Sequence, residues 1–169
     1  MEITISPVVT DEDARGKAIV HWKTWQAAYA GLIPDSYLHH PAFPERCEKL
    51  AMAVRDGTLI AKAGEQVIGF AAFGAYRGDD LTDTAELDAL YVLPEYWGRG
   101  VGYALMNAAA EAVAGQPRIA LWVLDGNERA IRFYERYGFR FDGAEMSIKL
   151  GEPRTVHRMI LEREEKPKD

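Results

Sequence analysis

An α/β fold is predicted by three features of the sequence. A β-type run at 85–93 ends before Pro94 and passes through three alternating glycines, Gly98, Gly100 and Gly102, into a stretch with helical apolar spacing at Val101, Leu105, Ala108 and Ala109. A second β-type run at 118–124 leads in the same way into a short helix rich in aromatics. The chain has 169 residues, 48% of them apolar, which suits one domain over 1–169 with a substantial core.

The elements follow in order. Residues 2–9 read as a strand, and a helix over 11–30 starts with Thr10 or Asp11 as its N-cap and is ended by Gly31 and Pro34. Further helical stretches are expected at 34–39 and 44–56, with Asp56-Gly57 supplying a turn. Strands at 58–63 and 66–76 are joined by a tight hairpin at Gly64-Glu65. The strand 85–93 then delivers the chain to the glycine turn and the helix 100–114. Strand 118–124, helix 127–137 and two strands at 144–150 and 155–162 complete the chain, and the charged tail EREEKPKD is expected to fray. No internal repeat, low-complexity segment or interdomain linker interrupts this order.

Composition excludes several function classes. No apolar stretch reaches the roughly eighteen residues that span a bilayer, and MEITISPVVT lacks a basic region followed by an apolar signal segment, so no membrane role is expected. A single cysteine, Cys47, rules out an internal disulfide framework and suits a reducing cytoplasm. His21, His39, His40 and His157 show no metal-ligand spacing, so no metal is expected. The formal charge of −6 disfavours nucleic acid and is compatible with a cationic small molecule. Asp79, Asp80, Asp83, Glu86 and Asp88 fall within GDDLTDTAELD, which contains no Lys or Arg. That run is either a solvated acidic surface or a field that draws in an ammonium group.

Alternating glycines between a strand and a helix remove side chains where the backbone turns sharply, so successive N–H groups can converge on an anion. The helix that follows adds unpaired first-turn donors and the positive end of its dipole. A ligand-free strand-to-helix connection would carry the same pattern. A Rossmann site would need Gly-x-Gly-x-x-Gly near the start of a βαβ unit, and a P-loop would need Lys-Ser/Thr after its glycines. Here Tyr103-Ala104 follows Gly102.

Val92-Leu93-Pro94 followed by Trp97-Gly98-Arg99-Gly100-Val101-Gly102, and then Asn127, Ala130, Phe133, Tyr134, Gly138 and Phe139, resemble in order and separation the two motifs of the GNAT superfamily of N-acetyltransferases. The resemblance covers nearly the whole chain. It implies a mixed, mostly antiparallel seven-stranded sheet flanked by helices, with a central parallel pair ending at Leu93 and Leu124 that splays apart. It also implies acetyl-coenzyme A as co-substrate. The pantetheine arm would meet the strand backbone around Leu90, Tyr91 and Val92, and the pyrophosphate would meet the turn of Gly98, Arg99, Gly100, Val101, Gly102 and Tyr103, with Asn127 and Arg132 on the second wall. Trp97 stands where Gln or Arg is usual. This removes a side-chain contact and leaves the backbone donors. Arg132, Arg136 and Arg140 would share one helix face if that segment were helical throughout; the face reads as a solvated charged surface, while the resemblance allows Arg132 to meet a coenzyme phosphate.

By the same resemblance, Tyr134 protonates the departing thiolate, while Phe133 packs the core. For the base, strict alternation would put Glu86, Asp88, Leu90 and Val92 on one strand face and Leu87, Ala89, Tyr91 and Leu93 on the other. Two carboxylates on an apolar face are candidates to deprotonate an ammonium, directly or through water; the other reading is an exposed sheet end. The segment WKTWQAAYAGLIPDSYL carries an apolar helix stripe that reads as core packing. It also resembles the opening of a GNAT subgroup that includes polyamine acetyltransferases, which would place Trp25, Tyr29 and Tyr37 around the acceptor, their aromatic faces suited to a cation. The expected activity is acetylation of a primary amine on a small cationic molecule by direct attack. Protein N-terminal or lysine acetylation, and a noncatalytic acyl-coenzyme A-binding module, are the alternatives, and a homodimer is left open.

Overall fold

The computed structural model describes residues 1–163. Seven strands, β1 (Ile3–Pro7), β2 (Thr58–Ala63), β3 (Gln66–Ala75), β4 (Thr84–Val92), β5 (Arg118–Leu124), β6 (Arg140–Leu150) and β7 (Glu152–Glu162), form one sheet in the order β1-β2-β3-β4-β5-β7-β6. Five helices accompany them: α1 (Asp11–Ala28), α2 (Asp35–Leu38), α3 (Phe43–Ala53), α4 (Val101–Ala112) and α5 (Glu128–Tyr137). Every strand pair is antiparallel except β4 with β5. The α/β class and the mixed sheet expected from the sequence are therefore present.

Helix α1 starts where its cap chemistry dictates. The Thr10 hydroxyl accepts from the Asp13 N–H, and the Asp13 carboxylate accepts from the backbone N–H of Val9 and Thr10. Lys62 on β2 reaches the same carboxylate at 2.6 Å, and this contact first, with the backbone donors, holds Asp13 down at about 2 despite burial. Gly16 lets α1 approach β3: a Cβ there would lie 2.6 Å from Val67 Cγ2. Phe70 meets His21 of α1, whereas a Cβ on the preceding Gly69 would meet Leu105 of α4 at 3.0 Å. Since neighbouring strand residues point to opposite faces, α1 and α4 cover opposite faces of the sheet. Fully buried Ile60, Phe70, Leu105, Met106, Phe139 and Met159 anchor the packing between these layers.

The elements differ from expectation mainly at their ends. Helix α1 stops at Ala28, where Tyr29 caps it and the N–H groups of Leu32 and Ile33 turn back to the Tyr29 carbonyl. Helix α3 starts at Phe43 with Pro44 in its first turn and stops at Ala53, because Val54 is extended. Strand β6 starts at Arg140, directly after the positive-φ Gly138 and buried Phe139, and absorbs an irregularity between Phe141 and Glu145. Strand β7 starts at Glu152 and tolerates Pro153 because β5 pairs with β7 only over 156–162. The frayed-tail expectation falls mostly on 164–169, outside the described residues. Glu162, at the start of that tail, ends β7, and the Arg163 guanidinium donates to the carbonyls of Ala110, Val113 and Gln116.

Arg158 ties β7 to β6 and to the β3–β4 connection. Its side chain is 8% exposed and donates to Asp142 (2.8 Å), Asp80 (2.6 Å) and the Tyr76 hydroxyl (2.8 Å). Asp80 is held below its ordinary range by the Arg158 hydrogen bond. Asp142 is also held low, burial being outweighed by its hydrogen bonds from Arg158 and the Ala144 backbone. Arg158→Met should cost about 2–3 kcal/mol in urea unfolding. That is below the ~3–5 kcal/mol of a fully buried broken pair, because both carboxylates retain contact with water. Depressed carboxylate pKa values stabilise the fold above the ordinary carboxylate range and lose that effect as pH falls through them. The difference between Arg158→Met and the parent should therefore shrink in acid.

Candidate active site

The sheet opens between β4 and β5. The two strands pair only at Thr84–Arg118, Ala85–Ile119 and Glu86–Ala120, and beyond these they diverge. Residues 87–92 and 121–124 thus face each other across a gap, with backbone N–H and C=O groups available to an extended ligand. Two side chains meet the Val92 carbonyl at the end of β4: the Trp97 indole donates to it at 2.7 Å, and the Thr24 hydroxyl lies at 3.4 Å.

The glycine turn follows this opening. Gly98 and Gly100 have φ of 75° and 82°, and an added Cβ at either would meet nothing within 4 Å, so backbone conformation is what requires glycine there. Gly102 lies inside α4, where a Cβ would sit 3.5 Å from Phe133, an ordinary contact. Gly100 is the N-cap of α4 and has no side chain to cap the first turn, so the amides of Val101, Gly102 and Tyr103 are left without helical acceptors at the mouth of the gap. An open turn, an uncapped helix start and unpaired strand edges fit an extended ligand carrying a diphosphate.

The gap is a cavity of about 670 Å³. Leu90, Tyr91, Val92, Gly98, Gly100, Val101, Gly102, Tyr103, Asn127, Arg132 and Tyr134 line it, as does Phe133, expected in the core. Arg99 does not: its guanidinium lies over the Tyr96 ring at 5.5 Å. Asn127 caps α5 through its side-chain oxygen, which accepts from the Ala130 N–H at 3.4 Å. Arg136 lines the cavity with Arg132, but Arg140 does not share their face. Helix α5 ends at Tyr137, and Arg140 sits on β6, donating to the Glu135 and Phe139 carbonyls.

Arg129 was missed by sequence reasoning. Its guanidinium stacks on Trp97 at 3.5 Å from the ring centre and lines the cavity, so Trp97, in place of a polar residue, becomes the platform for a cation delivered from α5. The available signal was Trp97 in the turn taken together with Arg129, two residues after Asn127; Trp97 alone does not point to it.

Tyr134 lies against Phe133 and Phe139, at ring distances of 5.4 and 5.6 Å, with a partly exposed side lining the cavity. Burial first, then the Tyr91 phenol, raises its pKa, so it stays protonated throughout the neutral range. Tyr29 is raised in the same way, by burial and then by Tyr91.

A second cavity of about 220 Å³ adjoins the first, and Tyr29, Leu87, Asp88, Tyr91, Trp122 and Leu124 line both. Trp25 and Glu86 line only the smaller one. Tyr37 lines neither: it packs beneath the β6–β7 turn, where a Cβ on Gly151 would come within 3.2 Å of it. With Ile33 and Leu32, Tyr37 fastens that hairpin over the cavity, and Arg154 donates to the Leu32 carbonyl.

Strict alternation on β4 does not hold. Ala72 pairs with Ala89 but Phe73 pairs with Leu87, so Asp88 is an extra residue in a bulge. Glu86 and Tyr91, expected on opposite faces, consequently line one cavity. Arg77 joins the two carboxylates, donating to Glu86 Oε2 at 2.6 Å and lying 3.4 Å from Asp88 Oδ1. Glu86 is 2% exposed and also accepts from the Arg77 backbone N–H and Nε. Asp88 is less constrained. Burial first, and then the adjacent Glu86, raise its pKa to about 6 against the opposing pull of Arg77. Because Asp80 pairs with Arg158, three of the five carboxylates in the acidic run touch a guanidinium, but Glu86 and Asp88 share Arg77, so two cations offset only part of the run's negative charge.

Gly100→Val should weaken coenzyme A binding tenfold or more, because a β-branched residue opposes φ of 82° at the base of α4. Gly102→Ala should be milder. Calorimetric titration of the two folded variants checks this, and equal affinity in both would remove the turn's conformation from binding.

The N-acetyltransferase YuaI of Bacillus subtilis (strain 168), itself uncharacterised, is 33% identical over 129 residues, spanning 75% of this chain and 74% of that protein. A protein named as a probable spermine N(1)-acetyltransferase of Bacillus subtilis subsp. natto is 32% identical over 83 residues, 46% of this chain and 55% of its own length. The crystal structure of the PaiA N-acetyltransferase of Thermoplasma acidophilum in complex with coenzyme A superposes with a TM-score of 0.73 at 25% identity, covering 96% of this chain and 99% of that one. The family model described as Acetyltransferase (GNAT) family matches residues 20–139, a range that takes in both walls of the splay, and on that match the chain belongs to this family.

Proposed function

We propose that this protein transfers an acetyl group from acetyl-coenzyme A to the primary amine of a small cationic molecule by direct attack, with Asp88 as base and Tyr134 as proton donor. The observation that carries the reading is that Asp88 and Tyr134 line one cleft, while Asp88 also lines the smaller cavity beside it. An acceptor in the small cavity would meet an acyl group in the large one at Asp88.

Acetyl-coenzyme A supplies a thioester, an acyl group activated for attack by an amine. The β4 and β5 edges would hold its arm, and the Val101, Gly102 and Tyr103 amides with Arg129 and Arg132 would hold its phosphates. An incoming ammonium must lose two protons to become an amide. Asp88 takes the first, which frees the nitrogen lone pair. As the C–N bond forms and the C–S bond breaks, Tyr134 gives its proton to the departing sulfur, and the nitrogen's second proton restores the Tyr134 phenol. The neutral phenol is available at every working pH.

The hairpin fastened over the smaller cavity favours a small molecule over a protein chain. Release of free thiol from acetyl-coenzyme A, measured with polyamines, simple amines, amino acids, aminoglycosides and peptides, tests the reading. Turnover on a small amine is expected. Turnover on peptides alone would assign protein acetylation, and tight binding without any turnover would assign a noncatalytic acyl-coenzyme A module.

A further inference from the structure

We infer that the acceptor is a monoammonium compound with an apolar body, such as an alkyl- or arylalkylamine, and not a polycation. The inference rests on the proposed acetyl transfer and narrows its acceptor. Among the described residues, the charged lining of the smaller cavity is confined to Arg77, Glu86 and Asp88. Two carboxylates against one guanidinium leave a single negative charge in surplus, enough to match one ammonium.

Apart from the Tyr29 and Tyr91 phenols and the Trp25 and Trp122 rings, the rest of the wall is apolar and comes from separate elements. Met146, Ile148 and Leu150 alternate along β6 and so present one face to the cavity, with Leu124 of β5 and Val156 of β7 beside them. The Trp25 indole N–H is buried without a partner, and as a donor it offers nothing to a second ammonium. One face of the Trp122 ring is already taken by the Arg158 guanidinium, 5.6 Å away. A second or third ammonium of a polyamine would therefore be desolvated here with no carboxylate to meet it. An alkyl or aryl group would instead be removed from water, with room for about seven water-sized groups in 220 Å³.

The test is the specificity constant for butylamine, pentylamine, hexylamine, phenethylamine, spermidine and spermine, measured by thiol release. Each methylene from butylamine to hexylamine should raise it about three- to fourfold. Hexylamine and phenethylamine should exceed both polyamines by about tenfold or more. Ile148→Asp should reverse that order toward spermidine with coenzyme A affinity unchanged. If that variant fails to fold, Met146→Glu at the 44% exposed rim gives the same readout. A flat methylene series, or spermine preferred over hexylamine, would overturn the inference while leaving amine acetylation intact. No turnover on any amine would overturn both.

Discussion

Tyr134→Phe is expected to reduce turnover about a hundredfold or more while leaving stability nearly unchanged. The ring is held by Phe133 and Phe139, and the variant keeps those contacts. Among the described residues, the Tyr134 hydroxyl makes no hydrogen bond of the kind by which Arg158 holds the β3–β4 connection. Loss of the phenol would thus remove the proposed proton donor and little else. Burial raises the phenol's pKa, so no alkaline limb from Tyr134 should appear in the parent's rate near neutral pH. Single-turnover thiol release at saturating acetyl-coenzyme A, with the urea midpoint measured alongside, checks both halves. An unchanged chemical rate would assign Tyr134 to packing.

The parts of the site legible in the sequence are those built from the backbone. Gly98 and Gly100 announced a turn because their positive φ leaves few other residues able to occupy it, and the strand-to-helix order on both sides of the gap follows from apolar periodicity. Side-chain geometry was less legible. The bulge at Asp88 depends on how β3 pairs with β4, a long-range register that the alternation of β4 alone does not carry. The partners of the acidic run were hidden for the same reason: Arg77 lies just before it, but Arg158 comes from β7, about eighty residues later. Trp97 read alone removes a contact, and it becomes informative once α5 places Arg129 on its face.

In the proposed mechanism, this arrangement gives two neighbouring carboxylates different tasks. Glu86 accepts three hydrogen bonds from Arg77 and is almost fully buried, so its charge is spent on holding the guanidinium. Asp88, displaced by the bulge, lines both cavities and meets Arg77 only at 3.4 Å. Environment alone thereby separates the two roles.

Asp88→Asn is accordingly expected to lower kcat/KM by about a hundredfold to a thousandfold at neutral pH. A base works only when deprotonated, so the parent's kcat/KM should rise with pH through about 6, and this limb should vanish in Asp88→Asn. Glu86→Gln should keep the limb and move it to lower pH, because Glu86 helps to raise the Asp88 pKa and its removal leaves Arg77 free to favour the carboxylate. Stability moves the opposite way. A raised carboxylate pKa means the folded protein binds a proton more readily than the unfolded chain, so that contribution is present at low pH and lost as pH rises toward 6. Asp88→Asn should therefore gain stability at neutral pH, by ~1 kcal/mol or less once solvent screening at this half-exposed site is included. A variant that is both slower and more stable marks a residue held at a cost for chemistry. If Glu86→Gln abolishes the acid limb and Asp88→Asn leaves it in place, the two carboxylates exchange roles, and the bulge serves packing alone.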